Sequence, residues 1–308
     1  MEDVSKSLQD LMNQRNLTKN YQQLMAKVAK DPEVTAFIQT HQADLAPDVL
    51  TRSAAKIYEF VTERDKVKAG KDIFATGYEP RLIVADHLLD VAYVPTQGTQ
   101  EKQAAQQLRQ RVRSIAMPKS IRAARLDNFD NDGPRMEAFL GAMDFIESYE
   151  DHPHQRHQAL YLTGNFGVGK TYLLAAVAHQ LATDGYSTTL VHFPSFAVEM
   201  KNAIGKDGVG DKLDAIKKAP VLMIDDIGAD AMSAWIRDDV LGVILEYRMQ
   251  EELPTFFSSN FSMAQLEKDH LRISTRGDDE PLKAQRLMQR IRFLAREVTM
   301  LGTNRRPQ

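Results

Sequence analysis

The sequence predicts a two-part α/β protein: a parallel sheet wrapped by helices from about residue 118 onward, behind a mainly helical N-terminal part. Three observations carry this. Up to about residue 70 the apolar residues recur at helical spacing, with no alternating runs. Beyond residue 120, short apolar runs alternate with helical segments, the pattern of strands joined by crossover helices. At 308 residues the chain is long enough for two domains with separate cores, and the change of pattern sets their bounds at 1–117 and 118–308.

In the first part, Leu8, Leu11 and Met12 share one apolar face, and Tyr21, Leu24, Met25 and Val28 another. Asp31-Pro32 is an N-cap followed by a proline at the first helical position, with Val34, Phe37 and Ile38 behind it. Pro47 opens a longer helix through Val49, Leu50, Ala54, Ile57, Tyr58 and Val61. Near Gly70 the period changes. Gly77 and Pro80 precede two runs, Arg81–Val84 and Leu88–Val94, that read as a small β element. Residues 97–116, rich in Gln, Ala and Arg, read as a connecting helix ended by Pro118.

In the second part the candidate strands are Ala159–Thr163, Thr189–Phe193, Pro220–Ile224, Thr255–Ser258 and Val298–Leu301. Helical segments such as Tyr172–Leu181 and Trp235–Tyr247 lie between them. The chain has no internal repeat and no low-complexity tract.

Between the first of these strands and its helix stands Gly164-Asn165-Phe166-Gly167-Val168-Gly169-Lys170-Thr171, a full match to G-x-x-x-x-G-K-[ST]. Glycines let the backbone curl so that successive N–H groups face phosphate oxygens, and the helix start adds partial positive charge. The candidate nucleotide-binding residues are Gly164, Asn165, Phe166, Gly167, Val168, Gly169, Lys170, Thr171 and Tyr172. Lys170 would reach the terminal phosphates of ATP, and Thr171 would face Mg²⁺.

Val221-Leu222-Met223-Ile224-Asp225-Asp226 is a buried strand ending in two carboxylates, at the end of a parallel sheet where ligands bind. Asp225 is the second candidate Mg²⁺ residue. Asp226 is placed to polarise an attacking water. Thr255–Asn260 is another strand with a polar end, and Asn260 has an amide that could hold the water and sense phosphate together.

These three strand ends resemble the Walker A, Walker B and sensor-1 elements of AAA+ ATPases. PVLMIDDIGAD (220–230), WIRDDVL (235–241), PTFFSSNF (254–261) and KAQRLMQRI (283–291) are more specifically similar to the DnaI-type primosomal helicase loaders, relatives of DnaC. The likeness covers residues 120–308 strongly and the N-terminal part loosely. It implies an AAA+ core with a reduced or absent lid, ATP hydrolysis, and loading of a DnaB-type hexameric replicative helicase onto single-stranded DNA during primosome assembly. Other primosome proteins are implied as further partners, with self-association through the AAA+ part on the helicase. A transposition helper ATPase resembling IstB and a nucleotide-switched adaptor with little hydrolysis are the alternatives.

In AAA+ proteins an arginine late in the helix before the last strand acts on the neighbouring subunit's nucleotide. Arg290 matches that position, with Arg286 as a second candidate. Arg305 or Arg306 could serve as a sensor-2 arginine, although too few residues follow for a full helical lid.

Some relatives hold zinc in the N-terminal domain through cysteines. This sequence has no cysteine, and His87 alone cannot replace them. Zinc is therefore not expected, and the β element is expected to hold by packing of Ile73, Phe74, Leu82, Ile83, Leu88 and Tyr93. His152, His154 and His157 read as a surface loop. The lack of cysteine also excludes disulfides and thiol nucleophiles. The opening MEDVSKSLQD has no apolar signal core, and no apolar run is long enough to span a membrane, so a cytoplasmic location is expected.

Net charge is −3, yet residues 101–125 and 281–308 each carry seven Lys/Arg against a single Glu. Each stretch is either an anion-binding surface or a solvated helix face. Lys201, Lys206, Lys212, Lys217 and Lys218, with Gly205, Gly208 and Gly210 among them, could hold single-stranded DNA with Phe193 or Phe196 as stacking platforms. The same stretch could equally be a solvated helical hairpin with core phenylalanines.

Overall fold

The computed structural model describes residues 30–117, 121, 123–131, 133–204, 208–229, 232–272 and 279–305. The helical faces expected around Leu8 and Tyr21, together with Pro118, Gly205, Lys206 and Arg306, lie outside them. The chain divides into two compact units, up to Ala105 and from Gln106 onward.

In the first unit Asp31 caps α1 (Pro32–Thr40) as its sequence signals: the carboxylate accepts from the N–H groups of Glu33 and Val34, and Pro32 stands at the first helical position. The helix expected from Pro47 is broken in two, α2 (Val49–Arg52) and α3 (Ala54–Lys68), around Ser53. The reason is tertiary: buried Ser53 turns its hydroxyl to accept from Leu89 N at 2.9 Å. From α3, Arg64 forks onto both Asp31 oxygens at 2.7 Å, so the cap of α1 also fixes α3.

The β element is an antiparallel hairpin, β1 (Tyr78–Ala85) and β2 (Leu88–Pro95). Asp86 and His87 between them take φ of 50° and 62°, as a two-residue hairpin turn requires. Leu82 and Leu89 pack with Val34, Val49, Ile57 and Phe60. Two residues expected in this packing are elsewhere: Phe74 is 90% exposed and Ile83 is also exposed. Ile83 follows Leu82, and strand alternation turns it to the opposite face. Phe74 lies before the hairpin, its N–H bonded to Glu63.

The expected connecting helix over 97–116 is shorter. α4 (Gln97–Arg111) leads directly into a strand, β3 (Val112–Ile115). Then follow α5 (Gly133–Asp151), β4 (Ala159–Thr163), α6 (Lys170–Thr183), β5 (Thr188–His192), α7 (Phe193–Asn202), α8 (Val209–Lys217), β6 (Val221–Asp225), α9 (Gly242–Gln250), β7 (Thr255–Ser259), α10 (Pro281–Leu294) and β8 (Ala295–Thr299). A π-type turn, Ile236–Leu241, opens α9. The last strand begins at Ala295, not Val298. Ala295-Arg296-Glu297 continues the composition of α10, but pairs in register with Ala159–Tyr161.

Six strands form one parallel sheet in the order β3-β5-β6-β7-β4-β8. Strand alternation splits the core. Leu160, Leu162, Leu190, Met223 and Phe256 pack with α5 and α6, while Tyr161, Val191, Leu222, Ile224 and Phe257 pack with α7, α9 and α10. Arg248, fully buried on α9, braces the opposite end of the sheet from the site. It donates to the carbonyls of Lys217, Ala219 and Pro254 and to Thr255 Oγ1, and burial pulls its guanidinium down to about 9.

Candidate active site

The strand order builds the site. Because β7 lies between β4 and β6, Asn260, just past β7, falls between the glycine-rich loop after β4 and the carboxylates ending β6. The loop is bent through positive φ at Gly164, Gly167 and Gly169. Gly164 cannot be replaced for a second reason: a Cβ there would lie 2.1 Å from the carbonyl oxygen of Met300.

Lys170 opens α6 and is only 7% exposed. Its ammonium turns back over the loop, donating to Gly164 O at 2.6 Å and Asn165 O at 2.9 Å. It also donates to Asn260 Oδ1 at 2.9 Å. The Asn260 amide then donates from Nδ2 to Asp226 Oδ1 at 3.2 Å. Its two ends therefore connect the cation to the second carboxylate, and the acceptor/donor pair fixes how the amide is turned.

Asp225 is buried. Its Oδ1 accepts from Thr171 Oγ1 at 2.8 Å and from Ser258 Oγ at 2.5 Å. Burial pushes its carboxyl up from the ordinary value, against the pull of the Ser258 and Thr171 hydroxyls. Thr171 and Asp225 are hard oxygen donors side by side at a sheet end, a set whose chemistry fits Mg²⁺. Asp226 sits at φ 63°, unusual for a residue with a side chain, and its N–H donates to Ser258 Oγ at 3.0 Å. That turn aims the carboxylate toward Asn260, with His192 Nε2 3.9 Å from Asp226 Oδ2.

Sequence reasoning missed Ser258 and His192 as members of this cluster. Ser258 is legible as the β7 hydroxyl two residues before Asn260. His192 is the last residue of β5 and stands in register with Asp225. Its Nδ1 lies 2.8 Å from Ser195 Oγ.

The remaining candidates separate. Asn165 and Phe166 are exposed on the loop, whereas Val168 is buried. Tyr172 holds the backbone of Arg125, accepting from its N–H and donating to its carbonyl. Arg290 is not brought to this cluster. It lies on α10, across the sheet from α6, where it donates to Gly242 O at 2.9 Å and pairs with Glu246 at 3.2 Å. Arg286 is exposed on the same helix. Phe193 and Phe196 are buried, which is the core alternative. Lys212 pairs with Glu199, and Lys217 and Lys218 pair with Asp214. Among the described residues no cluster of His, Asp or Glu could by itself hold a metal, and no helix is long and apolar enough to cross a membrane.

Two family models match the chain nearly end to end: "Primosomal protein DnaI N-terminus" over residues 1–93 and "IstB-like ATP binding protein" over residues 92–293. The second covers all the site residues above. The replicative helicase loader DnaI of Bacillus subtilis is 36% identical over 99% of this chain and 99% of its own. Two crystal structures are also similar. One, of DnaI, is 46% identical with a TM-score of 0.57, covering 65% of this chain and all of that one. The other, of a primosome component from Streptococcus pyogenes, is 47% identical with a TM-score of 0.55, covering 67% of this chain and all of that one.

The order of the two carboxylates generates a prediction. Asp225→Asn should lose Mg²⁺-dependent ATP binding, because Asp225 shares the Thr171 hydroxyl. Asp226→Asn should bind ATP and hydrolyse it poorly, because Asp226 faces the Asn260 amide. Titration of ATP with and without Mg²⁺, alongside phosphate release, checks this; two indistinguishable profiles would refute the division.

Proposed function

The chain belongs to the DnaI family, and on that premise we propose that it is an ATP-dependent loader of the hexameric replicative helicase, placing it on single-stranded DNA during primosome assembly. The observation that carries this is the continuous match: a DnaI N-terminus followed by an ATP-binding domain, with the likeness to a helicase loader running along 99% of both chains. A helicase loader would work in the cytoplasm beside the replication machinery, with other primosome proteins as its proposed further partners.

The chemistry assigned to the site is phosphoryl transfer to water, which needs positioning and charge more than covalent catalysis. Lys170 and the loop from Gly164 to Thr171, with Tyr172 behind it, hold the phosphates. Thr171 and Asp225 would hold Mg²⁺, which when bound would neutralise charge on the phosphate oxygens. Asp226 accepts the proton of the attacking water, and Asn260, already bonded to both Lys170 and Asp226, orients that water. ATP binding would order the assembly on the helicase, and hydrolysis would release it.

The expected bounds of 1–117 and 118–308 would cut β3 (Val112–Ile115) from the sheet it forms with β5, so residues 1–105 are assigned to the helicase and residues 106–308 to ATP. The first segment carries no phosphate-binding motif, so it should retain the cell's replicative helicase in a pull-down without nucleotide. Binding confined to residues 106–308 would reverse the roles. The transposition-helper alternative leaves the DnaI N-terminus over residues 1–93 unaccounted for. The adaptor alternative predicts no phosphate release stimulated by helicase and single-stranded DNA.

Arg290 is proposed to act on the neighbour's ATP, giving up Glu246 to do so. Its planar fork suits the charge that develops on the transferred phosphoryl group. Arg290→Ala should bind ATP as a monomer but not hydrolyse it on the helicase, and mixing it with Lys170→Ala should restore part of the turnover. Hydrolysis by Arg290→Ala at the unaltered rate on the helicase would remove the residue from this role.

A further inference from the structure

A loop that gathers its N–H groups on a phosphate turns its carbonyls the other way. Carbonyls turned into protein need donors, or the bent loop is held at a cost. Lys170 serves Gly164 O and Asn165 O from within the motif, and two further carbonyls take donors from outside it. Gly167 O accepts from the backbone N–H of Arg305 at 3.0 Å. Val168 O accepts from Arg135 Nε, also at 3.0 Å.

Arg135 is on the first turn of α5 and is 2% exposed. Its Nη2 reaches Thr303 O at 3.3 Å, and its Nη1 lies 3.5 Å from Asp130 Oδ2. The Arg305 side chain pairs with Asp130 as well. One buried guanidinium therefore touches the loop, the segment after β8 and the acid that holds that segment's last described arginine.

The fit along this segment is close. Met300 N donates to Thr163 O at 2.7 Å, and Leu301 N donates to Pro134 O at 3.2 Å. A Cβ on Gly167 would lie 1.8 Å from Asn304 Oδ1, and one on Gly302 would lie 2.8 Å from Arg135 Nη2. Met300, Asn304 and Arg305 thus meet the loop, Gly302 and Thr303 meet Arg135, and residues 301–305 stay exposed on their other side.

We propose that Arg135 and the segment Gly302–Arg305 are a positioning brace that presets the loop for the phosphates of ATP. This rests on the ATP-binding reading of the site. The bonds from Arg305 N and Arg135 Nε go to loop carbonyls and take up no loop N–H group, so neither competes with phosphate. Linkage then makes the effect reciprocal: if the brace tightens ATP binding, ATP tightens the brace by the same factor.

The test uses the full chain, a chain ending at Leu301, and a fluorescent ATP analogue with Mg²⁺. The shortened chain should keep its nucleotide-free melting transition and bind the analogue about tenfold more weakly. In the full chain, saturating ATP should slow amide hydrogen exchange at Arg305, which a purely structural tail would not show. Equal affinity in the two chains, or an Arg305 amide whose exchange ignores ATP in a full chain that binds it, would overturn the brace and leave the ATP reading standing. A full chain that binds no ATP would overturn both. If the shortened chain does not fold, the exchange measurement on the full chain decides.

Discussion

The desolvated ammonium of Lys170 is the constraint on which the site depends. An ammonium 7% exposed has lost most of its water, and a buried cation persists only with oxygens around it. Two of those oxygens belong to the loop that precedes it and the third to Asn260 at the end of another strand. Meeting them requires the loop to curl, α6 to begin at Lys170, and β7 to lie beside β4. Each requirement is met by a separate feature: glycines at positive φ, the helix start and the strand order. In the proposed function the same three oxygens hold the charge in place for a phosphate, whose oxygens are stronger partners for an ammonium than carbonyls are.

From that point the polar contacts run across the sheet end. Lys170 holds Asn260, Asn260 holds Asp226, and Ser258 links the Asp226 backbone to the Asp225 carboxylate, which in turn holds Thr171 one residue after the lysine. The circuit closes on α6, so a change at any member is felt by the others. Buried arginines frame it. Arg135 secures the loop from behind, and Arg248 ties β6 and β7 at the far end of the sheet, both largely through backbone carbonyls. Arg290 stands apart from the circuit, bonded to Gly242 O and paired with Glu246.

Much of this was legible in the sequence because it is local. The loop motif has fixed spacing and lies between a strand and a helix. Asp225 and Asn260 mark the ends of apolar runs, and the Asp31-Pro32 cap is a dipeptide signal. What was not legible depends on distant partners. β3 was hidden because Val112–Ile115 follows a Gln- and Arg-rich helix without a turn signal, and becomes a strand only by pairing with β5. Ala295–Glu297 reads as helix until β4 is beside it. Ser53 breaks a helix for the sake of Leu89, Ile83 loses its expected place to strand alternation, and His192 joins the site through register with Asp225. Arg135 lies far from the motif in sequence and carries no motif of its own.

The central claim is that the buried charge of Lys170 is held for phosphate. Equilibrium titration of the full chain and of Lys170→Ala with ATP and Mg²⁺ tests it most directly. A charge-assisted contact contributes about 1.5–3 kcal/mol, so removing the ammonium should weaken ATP binding by roughly tenfold or more, while the nucleotide-free protein stays folded. A folded Lys170→Ala protein that binds ATP as tightly as the unaltered chain would contradict the account.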